Sequence, residues 1–220
     1  MLVLSGRLIY SLLADPKQFP INTVKIAASY DHITRQQLER VLSPYLTQGY
    51  FGFSARELEN DLRKLAWCQD VNVARIWPDV VKITMIEKVP VARWNKAFMT
   101  DSGDVFYPEG GLISIEGLPH LSGPDSQKKE VLQNFKKLSK LLVSYGLSAS
   151  GLKLRNNQAW ELLLSNGILL RLGKNDLETR VRRFCRAYPA VFADKPEQLT
   201  SVDLRYARGM AVQWKPQTGR

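Results

Sequence analysis

Histidine, aspartate and glycine are the residues in this chain whose chemistry could support catalysis or metal binding. The two histidines, His32 and His120, lie in predicted loops with no second metal ligand at useful spacing. Asp101 and Asp104 flank a Ser-Gly pair, a pattern typical of a turn rather than of a general acid and base. Gly110-Gly111 is followed by neither the lysine nor the helix of a phosphate-binding loop. We therefore expect no catalytic residue, no metal site and no cofactor, and predict a binding protein rather than an enzyme.

The two cysteines, Cys68 and Cys185, are too few and too far apart for a disulfide framework or a paired zinc site. Both lie in segments that the pattern predicts to be helical or to end a helix. We expect two buried thiols.

Basic residues outnumber acidic ones, with 31 Lys and Arg against 21 Asp and Glu, which gives a formal charge of +10. That surplus favours an acidic partner, and nucleic acid, anionic lipid headgroups and an acidic protein segment all fit it. No nucleic acid is expected, because the sequence has no zinc-finger spacing, no RNP-like aromatic motif and no helix with one basic face.

The N-terminal run Met1–Leu13 is mostly apolar but carries Arg7, and it is shorter than the roughly 20 residues that cross a bilayer. Asp15-Pro16-Lys17 then interrupts it, and no small-residue cleavage site follows. We interpret residues 1–14 as the remnant of a truncated transmembrane helix. An amphipathic N-terminal helix is the alternative.

Residues 20–89 predict a first domain with the element order β-α-α-β-β. Alternation of apolar and polar residues marks the strands, and N-capping residues followed by apolar stripes mark the helices. The elements are a strand at Ile21–Ile26, a helix capped by Thr34 before Pro44, a helix in the capping box Ser54–Glu57 that reaches Trp67, and strands Val71–Ile76 and Val80–Glu87 around the turn Trp77–Asp79.

Residues 90–216 predict a second domain, a mostly antiparallel sheet with two helices, so the chain as a whole is α+β. The helices are Lys128–Tyr145, with lysines on its solvent face, and Asp176 to about Tyr188, capped by Asp176 and stopped before Pro189. Hairpins are predicted around residues 101–104 and around Asn166-Gly167, where positive φ angles suit a tight turn.

The C-terminal segment Ser201–Trp214 is the predicted docking edge. A sheet that ends on a strand offers unpaired main-chain groups to which a partner can add a strand. Arg205 and Arg208 would steer an acidic peptide, and Tyr206 and Trp214 are aromatic anchors of the kind favoured at interfaces. In the alternative, which stays open, the apolar side chains of this segment face a core: Val202, Leu204, Tyr206, Val212 and Trp214.

Several separated motifs, taken in order, resemble the FtsQ family of bacterial cell-division proteins. The similarity runs from about residue 2 to residue 216 and includes the region around Trp160. The motifs are VLSGRLIYSLLAD near the start, WPD at Trp77–Asp79, EKVPVARWN at Glu87–Asn95, RFCRAYP at Arg183–Pro189, and SVDLRYARGMAVQW at Ser201–Trp214.

This resemblance implies a single-pass protein of the cell inner membrane whose bulk lies in the periplasm at the division septum. It also implies a periplasmic POTRA domain at residues 20–89 and a β domain at 90–216. FtsB and FtsL are the implied partners, FtsK and other division proteins are further candidates, and a C-terminal strand of FtsB would add to the β domain. The FtsB contacts carried over by position are Arg205, Tyr206, Gly209 and Trp214 on the last strands and Arg183 and Tyr188 on the preceding helix.

Two positions depart from the family pattern. Ala207-Arg208 stands where the family has Asp-Ser, and Asn157 stands where the family has an arginine that faces the partner. Either Arg155 or Arg208 would then pair with an acidic residue of the partner. The alternative function is a POTRA-containing, chaperone-like module of an outer-membrane secretion or assembly system.

Overall fold

Two units, divided between Val89 and Pro90, make up the chain in a computed structural model that describes residues 16–29, 31–109, 115–192 and 198–215. The predicted anchor at residues 1–14 lies outside the described residues. Among the helices of the described part, none is both long enough and apolar enough to cross a membrane.

The first unit has the predicted order β-α-α-β-β. Its elements are β1 (Thr23–Ala27), α1 (Arg35–Leu46), α2 (Ala55–Leu62), β2 (Cys68–Ile76) and β3 (Val80–Glu87). The three strands lie in the order β1-β3-β2, with β1 parallel and β2 antiparallel to β3. Buried side chains alternate along β3, and leucines of both helices are buried as well, because one sheet face must be covered to form a core.

The helix starts of the first unit follow the sequence prediction, and the helix ends do not. Thr34 and Gln37 form a complete capping box at α1, and the Ser54 hydroxyl accepts from the Glu57 amide, 3.3 Å away, at α2. α1 continues past Pro44 to Leu46, because a proline in the last turn removes a single helical hydrogen bond. α2 ends at Leu62, well before Trp67, and Cys68 begins a strand instead of ending a helix.

The second unit is a mixed sheet of nine strands in the described residues, with helices on one face. Its elements are β4 (Pro90–Trp94), β5 (Ala97–Thr100), β6 (Val105–Phe106), β7 (His120–Ser122), a 3-10 turn (Asp125–Gln127), α3 (Lys128–Val143), β8 (Ala149–Leu154), β9 (Trp160–Leu164), β10 (Leu169–Gly173), α4 (Leu177–Val191), β11 (Leu199–Asp203) and β12 (Ala211–Trp214). The strand order is β12-β11-β10-β9-β8-β7-β4-β5-β6, and five of the strand pairs are antiparallel and three parallel.

Four details of the second unit differ from the sequence prediction. α4 runs through Pro189 to Val191, and Asp176 precedes it with a φ of 58° and no capping hydrogen bond from its side chain. The β9–β10 hairpin has a positive φ at Gly167 alone of the Asn-Gly pair, so a three-residue turn closes it. His120 lies in strand β7 and not in a loop.

Candidate functional site

β12 is an edge strand of the nine-stranded sheet. It pairs antiparallel with β11, with Val202 opposite Val212 and Asp203 opposite Ala211, and the described residues place no strand on its other side. Ser201 and Val202 of β11 are buried, whereas most of β12 is exposed. The structure therefore agrees with each interpretation in part. Val202 and Leu204 lie in the core and Val212 packs partly against it, whereas the other residues of β12 are exposed at the edge of the sheet.

A row of aromatic rings connects α4 to this edge. Phe184, Tyr188 and Phe192 follow one another along α4, with ring centroids 5.5 Å apart for the first pair and 6.3 Å for the second. The Phe192 ring then lies 6.1 Å from the ring of Trp214 on β12. Phe192 is buried and Trp214 is 44% exposed, so the row passes from the core to the surface at the edge strand.

Arg183 of α4 fixes the loop between β11 and β12. One guanidinium nitrogen donates to the Leu204 carbonyl at 2.8 Å and another donates to the Ala207 carbonyl at 2.7 Å. Its Nε is buried, with no hydrogen-bond partner among the described residues. The planar fork of arginine suits two carbonyls at once, so Arg183 positions the loop that carries Arg205, Tyr206 and Arg208.

Arg205 is paired within the chain. Its Nη2 lies 2.6 Å from Asp203 Oδ2, and its Nε lies 2.9 Å from Asp203 Oδ1. These hydrogen bonds hold the pKa of the Asp203 carboxyl below its usual range. The guanidinium is thus turned back toward β11, and its charge is partly neutralised there.

Tyr206, Arg208 and Gly209 are exposed in the same loop, as are Arg205 and Ala207. The Tyr206 side chain is 57% exposed, and Arg208 and Gly209 are exposed as well. The structure therefore brings seven of the eight predicted contact residues to β12, the loop before it and the adjoining face of α4.

Arg155 is the residue that the structure does not bring to this edge. It follows β8, the fifth strand counted from β12, and its Nη1 lies 3.1 Å from Glu161 Oε1. With strands spaced about 4.8 Å apart, four spacings separate it from β12 by roughly 19 Å. Asn157 lies in the same β8–β9 connection, where its side-chain oxygen accepts from the Ala159 amide.

Sequence reasoning missed Phe184, Phe192 and the Asp203 carboxylate. The signal for the first two was present, because Phe184, Tyr188 and Phe192 recur every four residues, the spacing of one helix face. Because the predicted helix ended before Pro189, Phe192 lay outside it and the four-residue spacing was not recognised. No comparable signal identifies Asp203, whose partner is set by the bend of the chain after β11.

Four residues whose side chains could have supported catalysis or metal binding, Cys68, Cys185, Asp104 and His32, lie in the core or take part in hydrogen bonds that hold the fold. Cys68 and Cys185 are buried free thiols, as predicted, and burial raises the pKa of Cys185 to about 11 and also raises that of Cys68. Asp104 lies in the β5–β6 turn, where its amide donates to the Thr100 hydroxyl. The imidazole of His32 lies 3.2 Å from the buried carboxylate of Glu87.

A β-α-α-β-β unit followed by a mixed sheet with helices agrees with the architecture of a POTRA domain joined to a β domain. Residues 19–88 match the model of the FtsQ-type POTRA domain, and residues 92–205 match that of the C-terminal region of the cell division proteins FtsQ and DivIB. The chain belongs to the FtsQ/DivIB family of cell division proteins, as the motifs predicted.

Curated relatives agree with this assignment. The chain is 35% identical to the cell division protein FtsQ of Coxiella burnetii over 92% of this chain and 84% of that protein. It is 33% identical to FtsQ of Shewanella oneidensis over 96% and 80% of the two chains. It is 32% identical to FtsQ of Hahella chejuensis over 89% and 70%.

Proposed function

We propose that this cell division protein acts as a scaffold at the septum and captures FtsB, together with FtsL, by adding a strand of FtsB to β12. One observation carries the proposal: β12 presents an open main-chain edge between the half-exposed ring of Trp214 and the exposed ring of Tyr206. Strand addition uses main-chain hydrogen bonds for affinity and flanking side chains for specificity. Attachment to the inner membrane, with the bulk of the chain in the periplasm, belongs to the same proposal.

Charge at the edge selects the partner. Of the three arginines considered, Arg205 is paired with Asp203 and Arg155 with Glu161. Arg208 lies exposed in the loop before β12. We assign the contact with an acidic residue of FtsB to Arg208, since pairing it requires no displacement of an existing carboxylate.

Calorimetry with a peptide from the C-terminal periplasmic segment of FtsB tests the proposal. Tyr206→Ala removes an exposed aromatic anchor and should weaken binding by about 1–3 kcal/mol, roughly 5- to 150-fold. Tyr107→Ala is the matched control, because Tyr107 is 65% exposed and directly follows β6 at the opposite edge of the sheet. Equal affinities of the two variants would remove Tyr206 from the site.

Amide hydrogen exchange tests the strand addition itself. The peptide should slow exchange in β12, whose outer amides gain hydrogen-bond partners. Exchange in β6, the opposite edge strand, should not change. Slowing at β6 alone, or at neither edge, would contradict capture at β12.

A further inference from the structure

The turn between β2 and β3 presents the most exposed tryptophan of the described residues. Trp77 is 76% exposed, and the neighbouring Ile76 is exposed as well. Tryptophan is a large amphipathic side chain that normally has most of its ring covered. The exposed side chains of Trp77 and Ile76 together form a small apolar surface that other residues of this unit leave largely uncovered.

The Trp77 turn lies at the same end of the first unit as the start of β1. The Asn22 amide donates to the Asp79 carbonyl at 3.1 Å, and the Asn22 side chain donates to the Asp79 carboxylate at 2.8 Å. β1 and β3 are parallel, with Thr23 opposite Val80. Both strands therefore begin beside the Trp77 turn, and the chain leaves this unit at the far end of β3.

The first described residues lie at the same end. Pro16 lies close against Gly49, and the Tyr50 amide donates to the Phe19 carbonyl at 2.8 Å. The ring of Phe51, which is 36% exposed, lies 5.2 Å from the ring of Phe19, centroid to centroid. The ring of Phe19, in the segment before β1, and the ring of Phe51, in the α1–α2 loop, thus lie at the same end of the first unit as the Trp77 turn.

Basic side chains also lie in the segments at this end of the first unit. The Arg75 guanidinium lies 4.5 Å from the centre of the Phe53 ring, and Lys17 is exposed in the entering segment. Tryptophan, tyrosine, lysine and arginine are the residues that anchor proteins at the level of the lipid headgroups. Trp77, Lys17 and Arg75 supply three side chains of these types at this end of the unit, beside the carboxylate of Asp79 in the turn.

We propose that the Trp77 turn inserts its indole ring into the headgroup region of the membrane and fixes the first unit against the bilayer. The inference rests on the proposed membrane attachment through the apolar run Met1–Leu13. Only eight residues lie between Leu13 and Asn22, and the nine steps that join the two span at most about 32 Å when fully extended. The turn therefore stays within reach of a bilayer that holds the preceding run.

Lipid quenching of tryptophan fluorescence tests this contact directly. The chain has five tryptophans, of which Trp67, Trp94 and Trp160 are buried and Trp214 is half-exposed. In a Trp214→Phe background, Trp77 is the exposed tryptophan that remains. The full 220-residue chain would be bound to vesicles of phosphatidylethanolamine and phosphatidylglycerol, and bound protein would be isolated by flotation.

Lipids brominated near the carbonyl end of the acyl chain should quench the emission of the floated Trp214→Phe protein, and lipids brominated near the methyl end should quench it less. The matched control, Trp77→Phe in the same background, should lose most of the quenching and still float. A Trp77→Phe protein that is quenched as strongly would contradict the proposal.

Flotation and quenching separate the two proposals. A chain that does not float with vesicles at all overturns both the proposed membrane attachment and the lipid contact of Trp77. A chain that floats with Trp77 unquenched keeps the attachment and overturns the lipid contact. The turn would then be open to water or to another protein.

Discussion

The ring of Trp214 on the edge strand lies 6.1 Å from the ring of Phe192 at the end of α4, centroid to centroid. Phe192 is buried in the core of the second unit, and Trp214 is 44% exposed. The same aromatic contact therefore joins a residue that stabilises the fold to one that is open to a partner. The two members of the pair should respond differently to truncation.

Trp214→Ala should weaken FtsB peptide binding by about 2 kcal/mol, roughly thirtyfold, because a half-exposed tryptophan at an interface is a typical anchor. Its effect on the free energy of unfolding should be about 1 kcal/mol or less. Phe192→Ala should instead destabilise the second unit by about 3–5 kcal/mol, since it empties a buried site. Calorimetry and urea denaturation measure the two effects. Equal destabilisation by both variants would show that Trp214 is a core residue.

Arg183→Lys should loosen the loop before β12 while keeping the positive charge. A lysine ammonium cannot reproduce the fork that reaches the Leu204 and Ala207 carbonyls together. We expect faster amide exchange at residues 205–209 and weaker FtsB binding by about 1 kcal/mol or more. Arg182→Lys is the matched control, because Arg182 is the exposed neighbour on the same helix. Unchanged exchange with weakened binding would assign Arg183 a direct contact with the partner.

Arg205→Gln should raise the pKa of Asp203 toward its usual value near 3.9. In the folded protein, hydrogen bonds from Arg205 hold that pKa low, so the pair stabilises the fold above the unfolded pKa. That stability is lost as the pH falls through the lower folded pKa. Carbon-13 NMR of the Asp203 carboxyl follows the titration. Arg208→Gln is the control in the same loop, and an equal shift in both variants would exclude a specific pair.

The element order of the first unit could be predicted from the sequence because periodicity and capping residues are local signals, whereas strands β7 and β8 of the second unit were not predicted. Thr34, Ser54 and the alternating residues of β3 each specify their element without help from the rest of the chain. Helix ends were less predictable. Pro44 and Pro189 lie in last turns, where a proline removes only one helical hydrogen bond and does not end the helix.

The candidate site at β12 could be predicted only in part, because residue types are visible in the sequence and the order of strands in the sheet is not. Tyr206 and Trp214 are aromatic residues of the kind favoured at interfaces. Whether they face the core or the solvent depends on which strand lies at the edge of the sheet. That order arises from β10 pairing parallel to β11 across the whole of α4, a long-range contact that no local pattern encodes. The internal pairing of Arg205 and the distance of Arg155 from β12 follow from the same topology.

The buried carboxylate of Glu87 holds the loop before α1. Its two oxygens accept from the backbone amides of His32 at 3.0 Å and Ile33 at 3.2 Å. The His32 imidazole also lies against this carboxylate, and its ring stacks on Trp67 with centroids 3.8 Å apart. Glu87 therefore joins the end of β3 to the start of α1.

Glu87→Gln should destabilise the first unit by about 1–3 kcal/mol, because the amide keeps one acceptor oxygen and leaves a buried backbone N–H without a partner. Glu87→Ala should cost more, since both amides lose their acceptor. Glu39→Gln is the control: Glu39 pairs with Arg35 on the exposed face of α1, and its loss should change the free energy of unfolding by about 0.5 kcal/mol or less. Urea denaturation gives the energies, and amide exchange at His32 and Ile33 locates them. A Glu87→Gln protein with the stability of the control and unchanged exchange at both amides would show that the carboxylate does not hold this loop.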